Sequence, residues 1–455
     1  MTLLGAKLAA ARAAGAVSRR AGRGGTSLPG KLLLRLEPGA VGSLAARLSN
    51  GSAVISATNG KTTTAAMVAS ILERGGHALV HNRAGANMAG GIAGTLLEAA
   101  GSHGSIAGDT GLFEIDEFWL DRLVPQIRPR ALLLANLFRD QLDRYGELET
   151  IADRWAGVVA EAKDTTLVLN ADDPLVADLG RDRAGVVYFG VEDPSMALEG
   201  MAHAADSKHC RRCGAPYHYD YVFLGHLGHY HCDVCGATRP APAVAAERVV
   251  LDGLRGARVT LRLPSATVEV ALPLPGLYNV YNALGAAALT TALGATPEEI
   301  VAGLEATAAA FGRAETVQLA GRDLILLLVK NPAGANEVLR TLALEDGEHD
   351  VLAVLNDHTA DGRDVSWVWD ADFEVLAGRL RRVVCSGTRA AEMALRFKYA
   401  GVDEARLVVE PELPAALDSA VGDGTGRLVA IPTYTAMLEL RRELVARGAA
   451  GSSFA

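Results

Sequence analysis

The sequence predicts an α/β protein: a parallel sheet covered by helices on both faces, interrupted by a small metal-binding insertion and followed by a second, smaller α/β unit. Three observations carry this expectation. Short apolar runs alternate with helix-like stretches along most of the chain. The run Ala53-Val54-Ile55 leads directly into Ser56-Ala57-Thr58-Asn59-Gly60-Lys61-Thr62-Thr63-Thr64, the layout of a strand, a phosphate-binding turn and a helix start. Four of the five cysteines form two Cys-x-x-Cys pairs.

The N-terminal segment from Lys7 to Arg23 is basic, with Leu4 and Leu8 on one candidate helix face. Arg12 and Arg19 interrupt any apolar core, so no signal peptide is expected and the chain is placed in the cytoplasm. A helix packed on the first domain is the favoured reading; a basic face resting on the inner membrane surface is the other. After Ala53-Val54-Ile55 a helix is expected over 62–74. Ala78-Leu79-Val80 is the next strand, followed by a Gly-rich turn at 85–94. Strands are expected at 111–116, 131–136 and 166–170. Residues 203–240 break the pattern and read as an insertion, and 248–272 is β-like. Residues 270–297 carry no charge, but Pro273, Pro275, Gly276, Asn279 and Asn282 divide them into strand, turn and buried helix rather than a membrane span. A second unit starts near Glu315, with strands at 324–329, 351–355, 382–385 and 427–431. The expected division is a segment at 1–45, a central ATP-binding domain at 46–312 and a C-terminal domain at 313–455.

Ligands of parallel sheets bind beyond the carboxyl ends of the strands. The phosphate loop, Glu114 and Asn136 all fall at such ends. Gly60 lets backbone approach a phosphate, and the amides after it point outward from a helix N-terminus. Lys61 adds a mobile positive charge, and the Thr62 hydroxyl suits Mg²⁺. Ile55 stands where the usual P-loop spacing has glycine. Phe113-Glu114-Ile115-Asp116-Glu117 offers three acids, of which Glu114 and Asp116 share one strand face.

Cys210-Arg211-Arg212-Cys213-Gly214 and Cys232-Asp233-Val234-Cys235-Gly236 have the spacing of a zinc ribbon. Four thiolates fill a tetrahedral Zn²⁺ site, so His209, His226, His229 and His231 are not needed as ligands, although each is near enough in sequence to replace one. A closed site of this kind serves folding rather than catalysis. Zinc ribbons also occur in nucleic-acid binders, but Arg211 and Arg212 are few and the formal charge is −9, so no nucleic-acid partner is expected. The fifth cysteine, Cys385, follows the apolar Val383-Val384 and reads as a buried structural residue.

Taken together, these residues resemble the Mur ligase family. The Ala57–Thr64 loop is similar to its ATP loop. The segment Asn136-Leu137-Phe138-Arg139-Asp140-Gln141-Leu142-Asp143-Arg144-Tyr145-Gly146 is similar to its second signature, and Gly276–Ala283 to the start of its adenine-side helix. Phe311-Gly312-Arg313-Ala314-Glu315 is similar to the arginine segment at the C-terminal junction. The departures narrow the resemblance. Residues 151–156 lack the lysine that amino-acid-adding members carry carbamylated. The large N-terminal domain for a UDP-linked substrate is missing, and Lys330-Asn331-Pro332 stands where an Asp and a His would precede Asn-Pro. With the inserted ribbon, the combination resembles the MurT branch, over nearly the whole chain.

That resemblance implies a ligase subunit that uses ATP and Mg²⁺ to amidate the D-glutamate α-carboxylate of lipid II through an acyl phosphate. Its ammonia would come from a GatD-type glutaminase partner in a heterodimer. Thr58, Asn59, Gly60, Lys61, Thr62 and Thr63 would then hold phosphate. Thr62 and Glu114 would hold Mg²⁺, with Asp116 and Glu117 as competitors. Asn282 would read adenine, and Arg313 would meet phosphate on domain closure. Residues 357–374 carry Asp357, Asp361, Asp364, Asp370 and Asp372 beside Trp367 and Trp369. The resemblance implies that one aspartate here completes the partner's Cys-His pair: Asp364 first, Asp361 second, with His358 a weaker candidate. A stand-alone Mur or folylpolyglutamate-type ligase that adds an amino acid is the alternative. A non-enzymatic P-loop and ribbon protein that binds nucleic acid is third.

Overall fold

The structure is a computed structural model of the chain and describes residues 3–20, 27–83, 86–101, 105–139, 148–200, 205–307, 313–422 and 426–451. Three helices open it: α1 (Leu3–Arg20), α2 (Leu28–Leu36) and α3 (Ala40–Ala45). Then come β1 (Ser52–Ser56), α4 (Lys61–Arg74), β2 (Leu79–His81), α5 (Ala89–Ala99), β3 (Thr110–Glu114), α6 (Leu120–Ile127), β4 (Ala131–Leu134), α7 (Leu148–Glu161), β5 (Thr166–Asn170), α8 (Pro174–Ala177) and β6 (Val187–Val191). The insertion supplies the hairpin β7 (His218–Leu224) and β8 (Leu227–His231). The first unit closes with β9 (Val244–Leu251), β10 (Ala257–Arg262), β11 (Thr267–Leu272), α9 (Leu277–Leu293) and α10 (Pro297–Glu305).

Its nine strands run in the order β11-β10-β9-β6-β5-β4-β1-β3-β2. From β9 to β2 neighbours are parallel; β10 and β11 extend the edge antiparallel. The alternation of side chains along β1 divides the core. Ala53 and Ile55 pack on one face with α4 and α9, and Val54 packs on the other with Leu8, Leu33, Phe113 and Trp155. Helix α1 therefore buries Leu8 against the protein, and two of its cations serve the fold: Lys7 pairs with Glu37 at 2.7 Å and Arg12 donates to Leu97 O at 2.8 Å. Among the described residues no helix is long and apolar enough to cross a membrane.

The second unit contains β12 (Arg313–Leu319), β13 (Arg322–Leu327), α11 (Pro332–Ala343), β14 (His349–Val354), β15 (Leu380–Ser386), α12 (Ala390–Tyr399), β16 (Leu407–Val409), α13 (Leu413–Val421), β17 (Arg427–Pro432) and α14 (Tyr434–Ala446). Its sheet order is β12-β13-β17-β14-β15-β16, parallel except at the β12 edge.

One local expectation fails. The Gly-rich stretch expected as a turn at 85–94 holds the start of α5. Gly90 and Gly94 lie where α5 meets α2, and a Cβ on Gly30 would sit 1.9 Å from Gly90 O. The glycines weaken the isolated helix but allow the two backbones to touch, and that packing decides.

Candidate functional site

Between β1 and α4 the chain turns through Gly60, at φ 83°, so that α4 begins at Lys61. A side chain at 60 is excluded twice, by the left-handed backbone and by Asn282 Oδ1, which would lie 2.0 Å from its Cβ. Asn136, two residues beyond the end of β4, braces the loop. Its Oδ1 accepts from Asn59 N at 2.9 Å, its Nδ2 donates to Asn59 O at 3.0 Å, and its carbonyl accepts from Thr58 N at 3.0 Å. The Thr58 hydroxyl accepts from Phe138 N at 3.1 Å. Thr63 is buried and lines the cavity described below.

Lys61 Nζ donates to Ala57 O and lies 2.9 Å from Glu117 Oε2. Burial alone would lower its pKa. The carboxylates of Glu117, Glu114 and Asp116 outweigh that and hold the ammonium above its ordinary value. Thr62 Oγ1 donates to Glu114 Oε1 at 3.2 Å. Glu114 is itself fixed by Asn82, whose Oδ1 accepts from Glu114 N at 3.0 Å and whose Nδ2 donates to Glu114 O at 2.8 Å. Asn282 Oδ1 accepts from Thr64 Oγ1 at 3.3 Å, and its Nδ2 donates to Asn279 Oδ1 at 3.0 Å, so its carboxamide sits against the turn of the loop. The side chain of Arg313, at the first position of β12, lies outside the described residues, as do Phe311, Gly312 and residues 140–147 of the second signature.

The loop floors a cavity of about 420 Å³ that both units line. Lys330 Nζ donates to Thr58 O at 3.0 Å. The Asn59 and Asn331 carboxamides face each other, with Asn331 Nδ2 donating to Asn59 Oδ1 at 3.1 Å. Asn331 also caps α11, its Oδ1 accepting from Gly334 N at 2.9 Å. Such an arrangement can hold a polyphosphate at the floor and present its terminal group to a second substrate between the units.

The two cysteine knuckles are built alike. Gly214 N donates to Cys210 O at 2.7 Å and Gly236 N to Cys232 O at 2.9 Å, with both glycines at positive φ (76° and 71°). Cys210 and Cys235 Sγ lie 3.5 Å apart, as do Cys213 and Cys232 Sγ, and all four sulfurs fall within 4.8 Å of one another. Bonds of ~2.3 Å to a tetrahedral zinc would place sulfurs about 3.8 Å apart, so the donor set fits. Burial would raise the Cys210 thiol, but N–H groups of Arg212 and Cys213 aimed at its sulfur bring it down to about 6. Nearby histidines turn elsewhere: His229 Nε2 is 2.8 Å from Val191 O, and His226 Nε2 is 3.4 Å from Asp173.

Residues 55–290 match the Mur ligase middle domain family, and residues 328–437 the MurT ligase C-terminal family. The chain is 33% identical over 435 residues to the lipid II isoglutaminyl synthase (glutamine-hydrolyzing) subunit MurT of Staphylococcus aureus strain N315, covering 95% of this chain and 96% of that one. It belongs to the MurT family. A Streptococcus pneumoniae R6 protein of the same description is 32% identical, over 97% and 96% of the two chains. Both relatives are described as one subunit of a synthase. Among solved structures, a pseudomurein peptide ligase type C from Methanothermus fervidus is similar in fold, with TM-score 0.67 and 23% identity over 88% of this chain and 79% of that one. MurF from Acinetobacter baumannii follows at TM-score 0.65 and 19% identity, over 92% and 80%.

In the MurT C-terminal region the acid-rich segment is more ordered than a solvated loop. Asp357 pairs with Arg389 at 2.8 Å. Asp370 lies 3.9 Å from Arg139, and Asp372 lies 3.8 Å from Arg340. Asp361 is buried, and both its oxygens accept from Thr435, one from the backbone N at 2.7 Å. It thus caps α14 from a distant loop. Asp364 is exposed, and its Oδ1 accepts from Ser366 N at 2.9 Å. Hydrogen bonds from the Ser366 side chain and backbone lower its pKa. Of the two tryptophans only Trp369 is strongly exposed, at 48%; Trp367 packs on the C-terminal core. His358 is exposed, with Nε2 3.9 Å from Glu439. Cys385 is fully buried, and burial pushes its thiol up to about 12, far from a nucleophilic thiolate.

Because Asp361 closes the N-terminus of α14, Asp361→Ala is expected to cost stability: about 1–3 kcal/mol for two orphaned donors. Thermal unfolding checks it. A variant as stable as the parent would show that water replaces the cap.

Proposed function

We propose that this chain is the ligase subunit of a glutamine-dependent amidation: it activates the α-carboxylate of D-glutamate in the lipid II stem peptide for conversion to the amide. The near full-length similarity to curated MurT subunits carries the reading. The phosphate loop facing a cavity shared by two units supports it. A carboxylate is a poor electrophile, and ATP supplies the phosphoryl group that activates it. The carboxylate oxygen takes the γ-phosphoryl group and ADP departs. Ammonia then attacks the acyl carbon, the C–O bond to phosphate breaks with its electron pair leaving on phosphate, and the surplus proton passes to solvent. The chain's part is positioning and charge neutralisation. Lys61 and the amides after Gly60 hold phosphate oxygens, with Thr58, Asn59 and Thr63 completing the loop. Thr62 and Glu114 would hold Mg²⁺. Asn282 is kept as the adenine reader and Arg313 as a phosphate contact on closure. The change of sheet at Arg313 supports a division into 1–45, 46–312 and 313–455.

Ammonia requires a Cys-His glutaminase, and buried Cys385 does not offer the nucleophile. A separate GatD-type partner is therefore proposed, docked on the C-terminal unit near Asp364 and Trp369. Exposed Tyr399, whose ring lies 5.7 Å from that of Trp369, would widen the contact. A lipid-linked substrate would place the reaction in the cytoplasm at the inner membrane face. Incubating the chain with lipid II, ATP and glutamine, with and without the partner, tests the reading. Amide should form from glutamine only with the partner, and from high ammonia without it. Phosphate release driven by a free amino acid would favour the amino-acid-adding alternative instead.

The four cysteines are proposed to hold structural zinc. Cys213→Ser should take zinc content from one per chain toward zero and lower stability with it, because binding energy at such a site is folding energy. Elemental analysis with thermal unfolding decides it; a metal-free protein of unchanged stability would end the zinc reading.

A further inference from the structure

The hairpin of the insertion has two ends. Its open end carries the cysteines: Cys210 and Cys213 precede β7, and Cys232 follows β8 directly. At its closed end the paired Leu224 and Leu227, which flank the two-residue turn Gly225-His226, reach the cavity above the phosphate loop. Leu224 and Leu227 line that cavity together with Phe138, Tyr278 and Tyr281, and both leucines belong to the main hydrophobic core.

The tip is fastened at several points. Gly225 has φ 61°, and a Cβ there would lie 2.9 Å from Phe138 Cε1. The His226 ring is fully buried, 4.8 Å from the Phe138 ring centroid, with Nε2 3.4 Å from Asp173 Oδ2. That same oxygen accepts from Leu137 N at 2.8 Å. Gly228 N donates to Asp172 O at 3.0 Å, and Asp172 Oδ2 accepts from Tyr281 Oη at 2.6 Å. The turn is thus tied to the chain beyond β4 and β5 and to the first turns of α9.

Sheet order gives this placement its meaning. The phosphate loop follows β1, which lies between β3 and β4. The acids Glu114, Asp116 and Glu117 come off β3, on one side of the loop. The hairpin tip stands over β4 and β5, on the other. A nucleoside triphosphate seated on the loop has a charged end, which belongs with Lys61 and the acids. Its flat apolar end needs the opposite side. We propose that the hairpin tip is the wall against which the nucleotide base lies, with Leu224, Leu227 and Phe138 as its contact surface, so that the insertion contributes directly to nucleotide binding. This rests on the reading of the loop as an ATP site.

Two measurements on the purified full chain test it. Photolabelling of the wild type with an azido-ATP, mapped by mass spectrometry, should mark residues 221–230 or Phe138, with protection by excess ATP. Leu227→Ala should raise the ATP Kd about tenfold, the effect of losing roughly two methylene groups of buried contact. Binding of inorganic tripolyphosphate, which has no base, should stay within about twofold by the same reasoning. Equal loss for both ligands, or for neither, overturns the proposal. If Leu227→Ala fails to fold, the wild-type label decides, and an ATP-protected label confined to Ala333–Val338 of α11 overturns it. A wild-type chain that binds no ATP would remove the nucleotide reading itself, whereas ATP binding with the label elsewhere removes only the base wall.

Discussion

Lys61→Ala abolishes ATP-dependent amidation: a loss of at least about a hundredfold to a thousandfold is expected, the usual effect of deleting one preorganised charge partner of a transferring group. The lysine sits at the first helical position after the left-handed Gly60, where loop and helix dipole already favour phosphate. Sequence alone suggests that a loop lysine can be removed without harm to the fold, but the structure argues otherwise. Its Nζ is 2.9 Å from Glu117 Oε2, and both side chains are 11% exposed. Removing the cation leaves Glu117 beside Glu114 and Asp116 with no counter-charge from position 61. A stability loss of about 1–3 kcal/mol should accompany the loss of activity. The double variant Lys61→Ala/Glu117→Gln separates the two effects. It should recover most of the stability and none of the activity. Amidation and thermal unfolding are measured on all three proteins. Near-normal ATP-dependent turnover in Lys61→Ala would remove the phosphate-loop assignment.

The site's main chain was legible because phosphate binding needs a fixed local grammar: strand, glycine turn, lysine, helix start. Ser52–Ser56 and Lys61–Arg74 fall within a residue of where the pattern puts them. Braces that act across the fold were not legible. Asn82 holds Glu114 from the end of β2, 32 residues away, and nothing in its local sequence marks it. Asn331 gave a partial signal, since Asn before Pro at a helix start predicts a cap, but its pairing with Asn59 spans 272 residues. Glu117 was one of three acids within four residues, beside Glu114 and Asp116. Only the loop after β3 decides that it, rather than Asp116, approaches Lys61 most closely. The glycines of α5 misled because packing against α2, not local propensity, sets their conformation. Strand β6 lies within a short run, Val186–Val191, that contains Tyr188 and Gly190 and gives a weak periodic signal.

Asp364→Asn separates the two half-reactions. The proposal gives Asp364 the task of orienting a histidine on the glutaminase partner and stabilising its charged form, a role in which asparagine leaves the geometry but holds the wrong tautomer. The geometry of the segment supports this choice over its neighbour. The Asp361 carboxylate points inward to Thr435 at the start of α14, whereas Asp364 is exposed and accepts from the nearby Ser366 N. Those bonds lower its pKa, so it is a carboxylate at neutral pH and can offer charge to a partner. The expected result is a fall in glutamine-dependent amidation on the order of 10⁴, the scale seen when a triad aspartate becomes asparagine. Amidation with free ammonia should persist, because the phosphate loop and the acids of β3 are untouched. The complex should still form, since one isosteric change at an exposed position removes little contact. Rates from both nitrogen sources and co-elution with the partner are the measurements. Equal loss from glutamine and ammonia would assign Asp364 to the ligase cavity or the fold. If neither rate moves, the partner's histidine is oriented by another group, and Asp361→Asn, which should lower stability without a glutamine-specific defect, becomes the next variant to compare.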